Sequence, residues 1–282
     1  MSLLTDGNHG RGVAWAARQL GHKSVVYMPK GSARERLDNI RAQGAQAEIT
    51  DLNYDDAVRL ANRMGKEHGW ILVQDTAWPG YEEIPAWIME GYTTIAWELF
   101  QQLEDLGGQM PTHLFLQAGV GSFAGAILGS FAARLGKDCP ITCIVEPDRA
   151  DCLYRSARAA DGKIHPVTGE MNSMMAGLCC GEPCTISWEI ISPGAAAFLS
   201  CSDEYSAMGM RLLGRPEPGD PAVVSGESGA VGVGVLSAIL HEEKLEDLRW
   251  SLGLNESSRV LCISTEGDTD QANYQKIVGE RV

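Results

Sequence analysis

His113-Leu114-Phe115-Leu116-Gln117-Ala118-Gly119-Val120-Gly121-Ser122-Phe123-Ala124-Gly125 is the stretch that decides the fold of this chain. Its first five residues predict a buried strand, and residues 122–135 predict a helix rich in small side chains. The glycines between them allow the backbone to approach an anion, at a helix N-terminus whose first N–H groups have no partner within the helix. This combination is typical of an α/β protein that binds a phosphorylated ligand. Glycines that serve only tight packing are the alternative.

A dinucleotide is a second possible ligand for this turn. Glu146 follows Gly125 by about 20 residues, the distance at which an acidic residue binds the ribose in dinucleotide-binding folds. The glycine spacing, however, is not the G-x-G-x-x-G of those folds, so the sequence favours this reading less.

The same alternation of strand and helix extends to both sides of the glycine-rich turn. Further helices are predicted over 13–20, 53–64, 85–106 and 228–240, and further strands over 24–28, 47–49, 71–74, 141–146 and 259–264. Ser32 and Glu35 match a capping box and predict one more helix start. Repeated strand–helix steps of this length imply parallel sheets. The chain is therefore predicted to be an α/β protein, with a small domain over 1–80 and a large domain over 81–282.

The composition excludes several classes of function. The 282 residues carry a formal net charge of −14, which repels a phosphate backbone and excludes nucleic acid as a partner. No run of about 18 apolar residues and no secretory leader is recognised, so no membrane partner is expected. The eight cysteines form no Cys-x-x-Cys framework and predict reduced thiols in a cytoplasmic protein, with a single disulfide left open. The cluster Cys179-Cys180-x-x-x-Cys184 lacks completing ligands, so no metal is predicted.

A second polar loop, Thr5-Asp6-Gly7-Asn8-His9-Gly10, opens the first helix. Its backbone donors suit a carboxylate, and the Asn8 amide suits a phenolate-like oxygen. Simple N-capping by Asp6 or Asn8 is the alternative. We expect His9 to be a structural hydrogen-bonding residue rather than a catalytic base.

These two loops, followed by Ser264-Thr265-Glu266-Gly267-Asp268 after a late strand, resemble the cofactor loops of fold-type-II pyridoxal-phosphate enzymes, the tryptophan synthase beta-like family. The resemblance implies two α/β domains, a homodimer and pyridoxal 5′-phosphate (PLP) as cofactor. The residues that it assigns to the cofactor are Asn8, Gly119, Val120, Gly121, Ser122 and Phe123, with Ser264 or Thr265 at the pyridine nitrogen. The residues that it assigns to the substrate are Thr5, Gly7 and His9. A neutral hydroxyl at the pyridine nitrogen suits β-elimination.

One residue that differs from the threonine dehydratases narrows the resemblance to a smaller group of enzymes. The serine that precedes Gly-Asn-His in threonine dehydratases is Asp6 here, and residues 74–78 and 225–229 are similar to those of diaminopropionate ammonia-lyases. This resemblance implies a small amino-acid substrate, 2,3-diaminopropionate, which is converted to pyruvate and ammonia. A threonine or serine dehydratase and a non-catalytic remnant with a binding role are the alternatives.

The proposed reaction explains why acidic residues are expected in the site. The leaving group is an amine, which leaves poorly unless it is protonated, and a carboxylate can hold that ammonium and also remove the α-proton. We predict Asp6 as this base and Asp75, at the C-terminal end of a strand, as the second catalytic acid. An N-cap and a loop-capping carboxylate are their alternatives. Glu227, in Ser-Gly-Glu-Ser-Gly, is left open between a site residue and a rigid turn.

A lysine is missing from the expected place. In the family, a lysine some tens of residues before the Gly-Asn-His loop holds the cofactor as a Schiff base. Only four residues precede Thr5, and none of the seven lysines has the family's sequence context. We therefore expect an enzyme cut off inside its active site, able at most to bind PLP non-covalently and inactive as written. Met1-Ser2-Leu3 is interpreted as a start or a cloning scar.

Overall fold

A small parallel sheet forms the first part of the chain in the computed structural model, which describes residues 1–5 and 7–279. Its strands are β1 (Ser2–Leu4), β2 (Val25–Met28) and β3 (Gln46–Ile49), in the order β1-β2-β3. The interpretation of Met1-Ser2-Leu3 as a start or a cloning scar stays a prediction. Leu3 and Leu4 are fully buried, and β1 pairs with β2 along its whole length, so this segment belongs to the core.

The predicted strand over 71–74 is reduced to a single bridge. Leu72 pairs in parallel with Ser2, through Ser2 N–H to the Ile71 carbonyl at 2.9 Å and Val73 N–H to the Ser2 carbonyl at 2.9 Å. The chain then turns away from β1, because Gln74 uses its side chain, rather than its backbone, to bind Leu4.

Three helices cover the small sheet: α1 (Asn8–Gln19), α2 (Arg34–Arg41) and α3 (Tyr54–His68). The start of α3 is as predicted, since the Asn53 side chain accepts a hydrogen bond from Asp56 N–H at 2.9 Å. The capping box at Ser32 is wrong. Helix α2 begins after Ala33 without a side-chain cap, because the Ser32 hydroxyl donates to the Pro29 carbonyl at 2.9 Å.

A second parallel sheet has the order β6-β5-β4-β7. Its strands are β4 (His113–Gln117), β5 (Ile141–Pro147), β6 (Ala197–Cys201) and β7 (Val260–Cys262). The helices of this part are α4 (Glu83–Asp105), α5 (Ser122–Leu135), α6 (Cys152–Ala159), α7 (Thr185–Gly194), α8 (Asp203–Gly214), α9 (Glu227–His241), α10 (Glu246–Ser251) and α11 (Gln271–Val278). Every strand pair in both sheets is parallel, so the predicted α/β class is confirmed.

The position of β4 determines where the loops meet. All five of its residues are buried between β5 and β7, and Phe115 pairs with Cys143 on one side and Cys262 on the other. The carboxyl ends of parallel strands share one edge of a sheet, so the glycine-rich turn after β4 and the loop after β7 lie side by side. The boundary at residues 80 and 81 stays a prediction. Among the described helices, none is long and apolar enough to cross a membrane.

Candidate active site

One cavity of about 460 Å³ opens at this edge. Every described residue that the sequence assigned to the site lines it, and Asp6 lies outside the described residues. The lining residues that were predicted are Thr5, Gly7, Asn8, His9, Asp75, Gly119, Val120, Gly121, Ser122, Phe123, Ser264 and Thr265. Segments far apart in the sequence are thus brought together, while the roles assigned to these residues stay predictions.

The glycine-rich turn is shaped by two close approaches. Gly121 has φ +97° and caps α5, a conformation that L side chains rarely adopt, and a Cβ there would lie 2.9 Å from the Ser187 hydroxyl. A Cβ at Gly119 would lie 3.1 Å from the Cys180 sulfur. The first turn of α5 contains no acidic residue and no side-chain cap, so its N–H groups and positive dipole end are available to an anion.

A test of the fit to a phosphorylated cofactor comes from two hydroxyls that line the same cavity. Ser228 Oγ and Thr269 Oγ1 are buried and have no hydrogen-bond partner among the described residues. A buried polar group left unpaired costs about 1–3 kcal/mol, and phosphate or carboxylate oxygens are the acceptors that hydroxyl donors of this kind suit. The donor set of the cavity therefore fits PLP.

The two candidates for the pyridine nitrogen differ in their hydrogen bonds. The Ser264 hydroxyl lies 2.7 Å from the Ser225 hydroxyl and 3.3 Å from the Glu266 carbonyl, so its proton has acceptors within the protein. The Thr265 hydroxyl accepts a hydrogen bond from the Gln117 amide at 3.0 Å, which leaves its own proton to be donated. Thr265 therefore has the more suitable hydrogen-bonding state for an unprotonated ring nitrogen.

The loop at the start of α1 is fixed from inside by Thr5. Its hydroxyl accepts hydrogen bonds from Gly7 N–H at 3.0 Å and Gly10 N–H at 3.1 Å. A Cβ at Gly10 would lie only 2.0 Å from Thr5 Cγ2, so the loop packs onto the helix only because residue 10 is glycine. His9 Nε2 lies 2.8 Å from the Val73 carbonyl, the structural contact that the sequence suggested for it.

Asp75 is held by three side chains, of which only Tyr54 lies outside the segments that the sequence analysis identified for the site. Its Oδ1 accepts from the Gln74 amide at 2.9 Å and from the Tyr54 hydroxyl at 3.4 Å. Burial, followed by the charge of Asp75, raises the pKa of Tyr54 well above its ordinary value, so the phenol is a neutral donor. The Ser122 hydroxyl donates to the Asp75 carbonyl at 2.5 Å and so ties α5 to this residue. Gln74, as the neighbour of Asp75, and Ser122, in the glycine-rich turn, could be noticed from sequence.

Arg36 and Glu266 also line the cavity without having been predicted. Arg36 forms a buried ion pair with Glu227 at 3.6 Å, and Asn273 donates to the other Glu227 oxygen at 2.6 Å. Glu227 itself is not among the residues that line the cavity, so the structure favours the reading of a rigid turn. The Glu266 carboxylate accepts from Ser228 N–H at 2.8 Å, and burial raises the pKa of Glu266, with Arg36 acting against this shift.

The dinucleotide reading is wrong. Glu146 is fully buried, and its two carboxylate oxygens accept from Leu153 N–H at 2.9 Å and Tyr154 N–H at 2.7 Å, at the start of α6. These oxygens are therefore not available to a ribose. All eight cysteines are free thiols. Within the described residues, no group of three or more His, Cys, Asp or Glu side chains has an arrangement that could hold a metal ion.

Lysine is absent from the described lining of the cavity. The seven lysines of the chain all fall in the described part of the sequence, and none of them borders this space. As far as residues 1–5 and 7–279 define it, the cavity offers hydrogen-bond donors and two arginines, Arg11 and Arg36, but no amine.

The chain matches known proteins over nearly its full length. A family model described as pyridoxal-phosphate dependent enzyme matches residues 3–265. The diaminopropionate ammonia-lyase of Salmonella typhimurium is 56% identical over 275 residues, which cover 97% of this chain and 68% of that protein. The crystal structure of the holo enzyme from Escherichia coli has a TM-score of 0.92 at 52% identity and covers 98% of this chain and 69% of that one.

A second structure of the Escherichia coli enzyme, in complex with an aminoacrylate-PLP azomethine reaction intermediate, has a TM-score of 0.92 at 51% identity and covers 99% of this chain and 71% of that one. The chain thus spans about 70% of the length of the proteins it matches. Given the extent of the family match and these identities, the chain belongs to the PLP-dependent enzymes of fold type II and, within them, to the diaminopropionate ammonia-lyases.

Proposed function

We propose that this cavity carries out the α,β-elimination of 2,3-diaminopropionate to pyruvate and ammonia. The observation that carries the proposal is the position of Asp75, whose carboxylate lies in the same cavity as the anion-binding turn and the Asn8–His9 loop. The relatives that are identical at more than half of the aligned residues bear the name of this activity. A carboxylate beside an anion cradle suits a substrate that carries one carboxylate and two amino groups.

The cofactor would be held by the glycine-rich turn, residues 119–123, at its phosphate and by Thr265 or Ser264 at its ring nitrogen. When bound, PLP withdraws electrons from the α-carbon of an amino acid and so acidifies its α-proton. The Asn8 amide, whose Nδ2 lies 3.4 Å from the Thr265 carbonyl, connects the substrate loop with the ring-nitrogen loop. The backbone N–H of His9, in the first turn of α1, is then the donor for the substrate carboxylate. Thr5 and Gly7 shape this loop, since the Thr5 hydroxyl accepts from Gly7 N–H at 3.0 Å.

We assign separate roles to two carboxylates. Asp75 holds the β-ammonium group of the substrate, which leaves as ammonia when the carbon–nitrogen bond breaks, and the donors beside Asp75 keep its carboxylate fixed in the cavity. Asp6 removes the α-proton; its neighbours Thr5 and Gly7 both line the cavity. A serine or threonine substrate has a hydroxyl instead of an ammonium at the β-carbon, so it has less use for a second carboxylate.

In this proposal the chain holds its cofactor by non-covalent contacts alone, because no lysine lines the described cavity. Steady-state turnover of this chain is therefore not expected. A binding role without catalysis is the second candidate function, and the lack of a lysine amine is the observation that favours it.

A single-turnover experiment separates these readings. The purified chain is mixed with one equivalent of PLP and then with 2,3-diaminopropionate or L-serine, and pyruvate is measured against free PLP. Pyruvate release from 2,3-diaminopropionate above that of free PLP, lost in Asp75→Asn and retained in the exposed-site control Asp161→Asn, supports the elimination. Faster release from serine supports a dehydratase. Tight PLP binding without pyruvate from either amino acid supports the binding role.

Covalent attachment is tested separately. Borohydride reduction of the PLP complex, followed by peptide mass spectrometry, should give no pyridoxyl-lysine in stoichiometric yield. A single lysine labelled in full would contradict the proposal.

The proposal also covers the assembly and the compartment. The family resemblance suggests a homodimer, and eight free thiols suit a reducing compartment such as the cytoplasm. Light scattering at several protein concentrations tests the dimer; a constant monomer mass would contradict it.

A further inference from the structure

Gln74 connects the strand that leads into the substrate loop with the carboxylate of Asp75. Its side chain is 0% exposed, so no solvent replaces a lost partner. Its amide oxygen accepts from Leu4 N–H at 3.0 Å, and its amide nitrogen lies 2.9 Å from Asp75 Oδ1 and 3.1 Å from the Tyr54 hydroxyl. Both the oxygen and the nitrogen of the amide group therefore have hydrogen-bond partners within the protein.

The orientation of this amide is determined by its neighbours. Leu4 N–H is a donor and can only face the oxygen of the amide, which directs the NH₂ group toward Asp75. The backbone N–H of Gln74 donates to the Tyr81 hydroxyl at 2.8 Å, so the residue is fixed at its main chain as well. In a flipped amide, the NH₂ group would face the Leu4 N–H, which is also a donor. The amide oxygen would face Asp75 Oδ1, which is also an acceptor.

This arrangement joins the two proposed acids. Leu4 is followed directly by Thr5, whose hydroxyl sets the loop over residues 5–10 through two hydrogen bonds. Asp75 is held on its other side by Ser122, at the first residue of α5. The Gln74 amide thus bridges the residue before the substrate loop and the second carboxylate through two hydrogen bonds.

We infer that Gln74 is a positioning residue that holds the Asp75 carboxylate in one rotamer, in register with the substrate loop; the inference rests on the proposed role of Asp75. Two donors, the Gln74 amide and the Tyr54 hydroxyl, bind the same oxygen of this carboxylate. The same amide oxygen fixes the end of β1, so a shift of Leu4 is transmitted to Asp75.

The variant Gln74→Glu separates positioning from simple structural support. It keeps an oxygen for Leu4 N–H but places a second carboxyl at hydrogen-bond distance from Asp75. Two carboxyls this close share a proton, since both do not ionise together near neutral pH. We expect the cofactor-free variant to take up roughly one more proton than the parent between pH 8 and pH 5 in potentiometric titration. An exposed control, Gln102→Glu, adds a carboxyl that titrates near its ordinary value of about 4.3.

The double variant Gln74→Glu/Asp75→Asn reverses the pair. The asparagine amide now donates to the carboxylate at position 74, so the extra proton uptake should disappear while the thermal midpoint returns toward that of the parent. Uptake that persists in the double variant would show that burial alone protonates the new carboxyl. Uptake no larger than in the Gln102→Glu control would show that residue 74 does not face Asp75. Either result overturns the inference.

The pH profile of single-turnover pyruvate release provides the functional readout. In Gln74→Glu, the acid limb of the profile should move to higher pH, and release near pH 7 should fall by at least about tenfold and recover in alkali. A uniform loss at all pH values would indicate structural damage and would contradict positioning. The titrations need no catalysis, so they judge Gln74 even if the chain proves to bind PLP without turnover.

Discussion

Three helices begin at the cavity edge of the large sheet, and they differ in whether a carboxyl group of the protein binds their N-terminal N–H groups. The N-terminus of α5, after β4, has a glycine cap and no acid in its first turn. The N-terminus of α6 is capped by Glu146, from the end of β5. The N-terminus of α9 is capped by Glu266, from the loop after β7, through Ser228 N–H. Two of the three are therefore satisfied by a carboxylate of the protein, and the third is not.

The difference shows how one dipole serves either the fold or a ligand. A helix N-terminus attracts an anion whether that anion belongs to the protein or to a small molecule. At α6 and α9 a carboxyl group of the protein itself, Glu146 or Glu266, accepts the N–H groups of the first turn. At α5 the strand ends in Gln117, whose amide binds Thr265 and the Ile263 carbonyl instead, which leaves the N-terminus open to the cavity. The absence of an acid at this position leaves the N-terminus of α5 free for the phosphate that the proposed function places there.

The largest effect is expected where a side chain is forced into that open turn. Gly121→Val imposes a left-handed conformation on a β-branched residue and brings its Cβ to 2.9 Å from Ser187 Oγ and 3.1 Å from Ile191 Cδ1. Backbone strain and overpacking together should lower the free energy of unfolding by about 5 kcal/mol and abolish PLP binding. Urea unfolding and PLP titration measure both. Gly129→Ala, in the same helix with only ordinary contacts, should be neutral or slightly stabilising; equal losses in both variants would contradict this account.

The carboxylate cap of α6 should make stability depend on pH. Burial raises the pKa of Glu146 from 4.5 to about 8, so the folded chain keeps a proton that the unfolded chain has already lost between these values. The stability that this proton confers is complete below about pH 4.5 and is lost as the pH rises through about 8, with an upper bound of roughly 5 kcal/mol. In Glu146→Gln this part of the pH dependence should vanish. Unfolding free energies measured from pH 5 to pH 8 would contradict the assignment if both proteins had the same slope.

An acid placed at the open N-terminus should convert α5 to the behaviour of its neighbours. Phe123 lies in the first turn of α5 and lines the cavity. Phe123→Glu brings a negative charge to the phosphate cradle and should weaken PLP binding by roughly 100-fold relative to Phe123→Gln, about 2.7 kcal/mol. The glutamine variant controls for the lost ring contact with Tyr92. Equal dissociation constants would show that the phosphate is bound elsewhere.

The loops of this site were predictable because each carries a local signal. Glycines between a strand and a helix, and polar residues at strand ends, are recognisable in sequence, and parallel pairing brings such ends together. Tyr54, Arg36 and Ser228 carry no such signal. They are a buried phenol on α3, a paired cation on α2 and an orphan hydroxyl on α9, and only the packing of distant segments places them in the cavity.

Errors in the fold have similar causes. Strand β1 is three residues long at the start of the chain, too short for a periodic pattern, yet it pairs on both sides. Strand β6, Ala197–Cys201, was not predicted because it is only partly buried and lacks β-branched residues. The capping box at Ser32 matched in spacing, but a spacing does not show whether the hydroxyl has a nearer acceptor.

The smallest expected effect compares a side-chain cap that forms with one that does not. Asn53 accepts from Asp56 N–H at the start of α3, whereas Ser32 precedes α2 without capping it. Asn53→Ala should therefore cost about 1 kcal/mol of unfolding free energy. Ser32→Ala should cost less than about 0.5 kcal/mol, because the hydroxyl donates to the Pro29 carbonyl in a half-buried turn and does not cap α2. Chemical denaturation of both variants measures the difference. Equal losses of unfolding free energy in the two variants would mean that both side chains stabilise their turns and not the helix N-termini. The carboxyl groups at the starts of α6 and α9 would then also have to be interpreted as turn contacts and not as partners of the helix dipole.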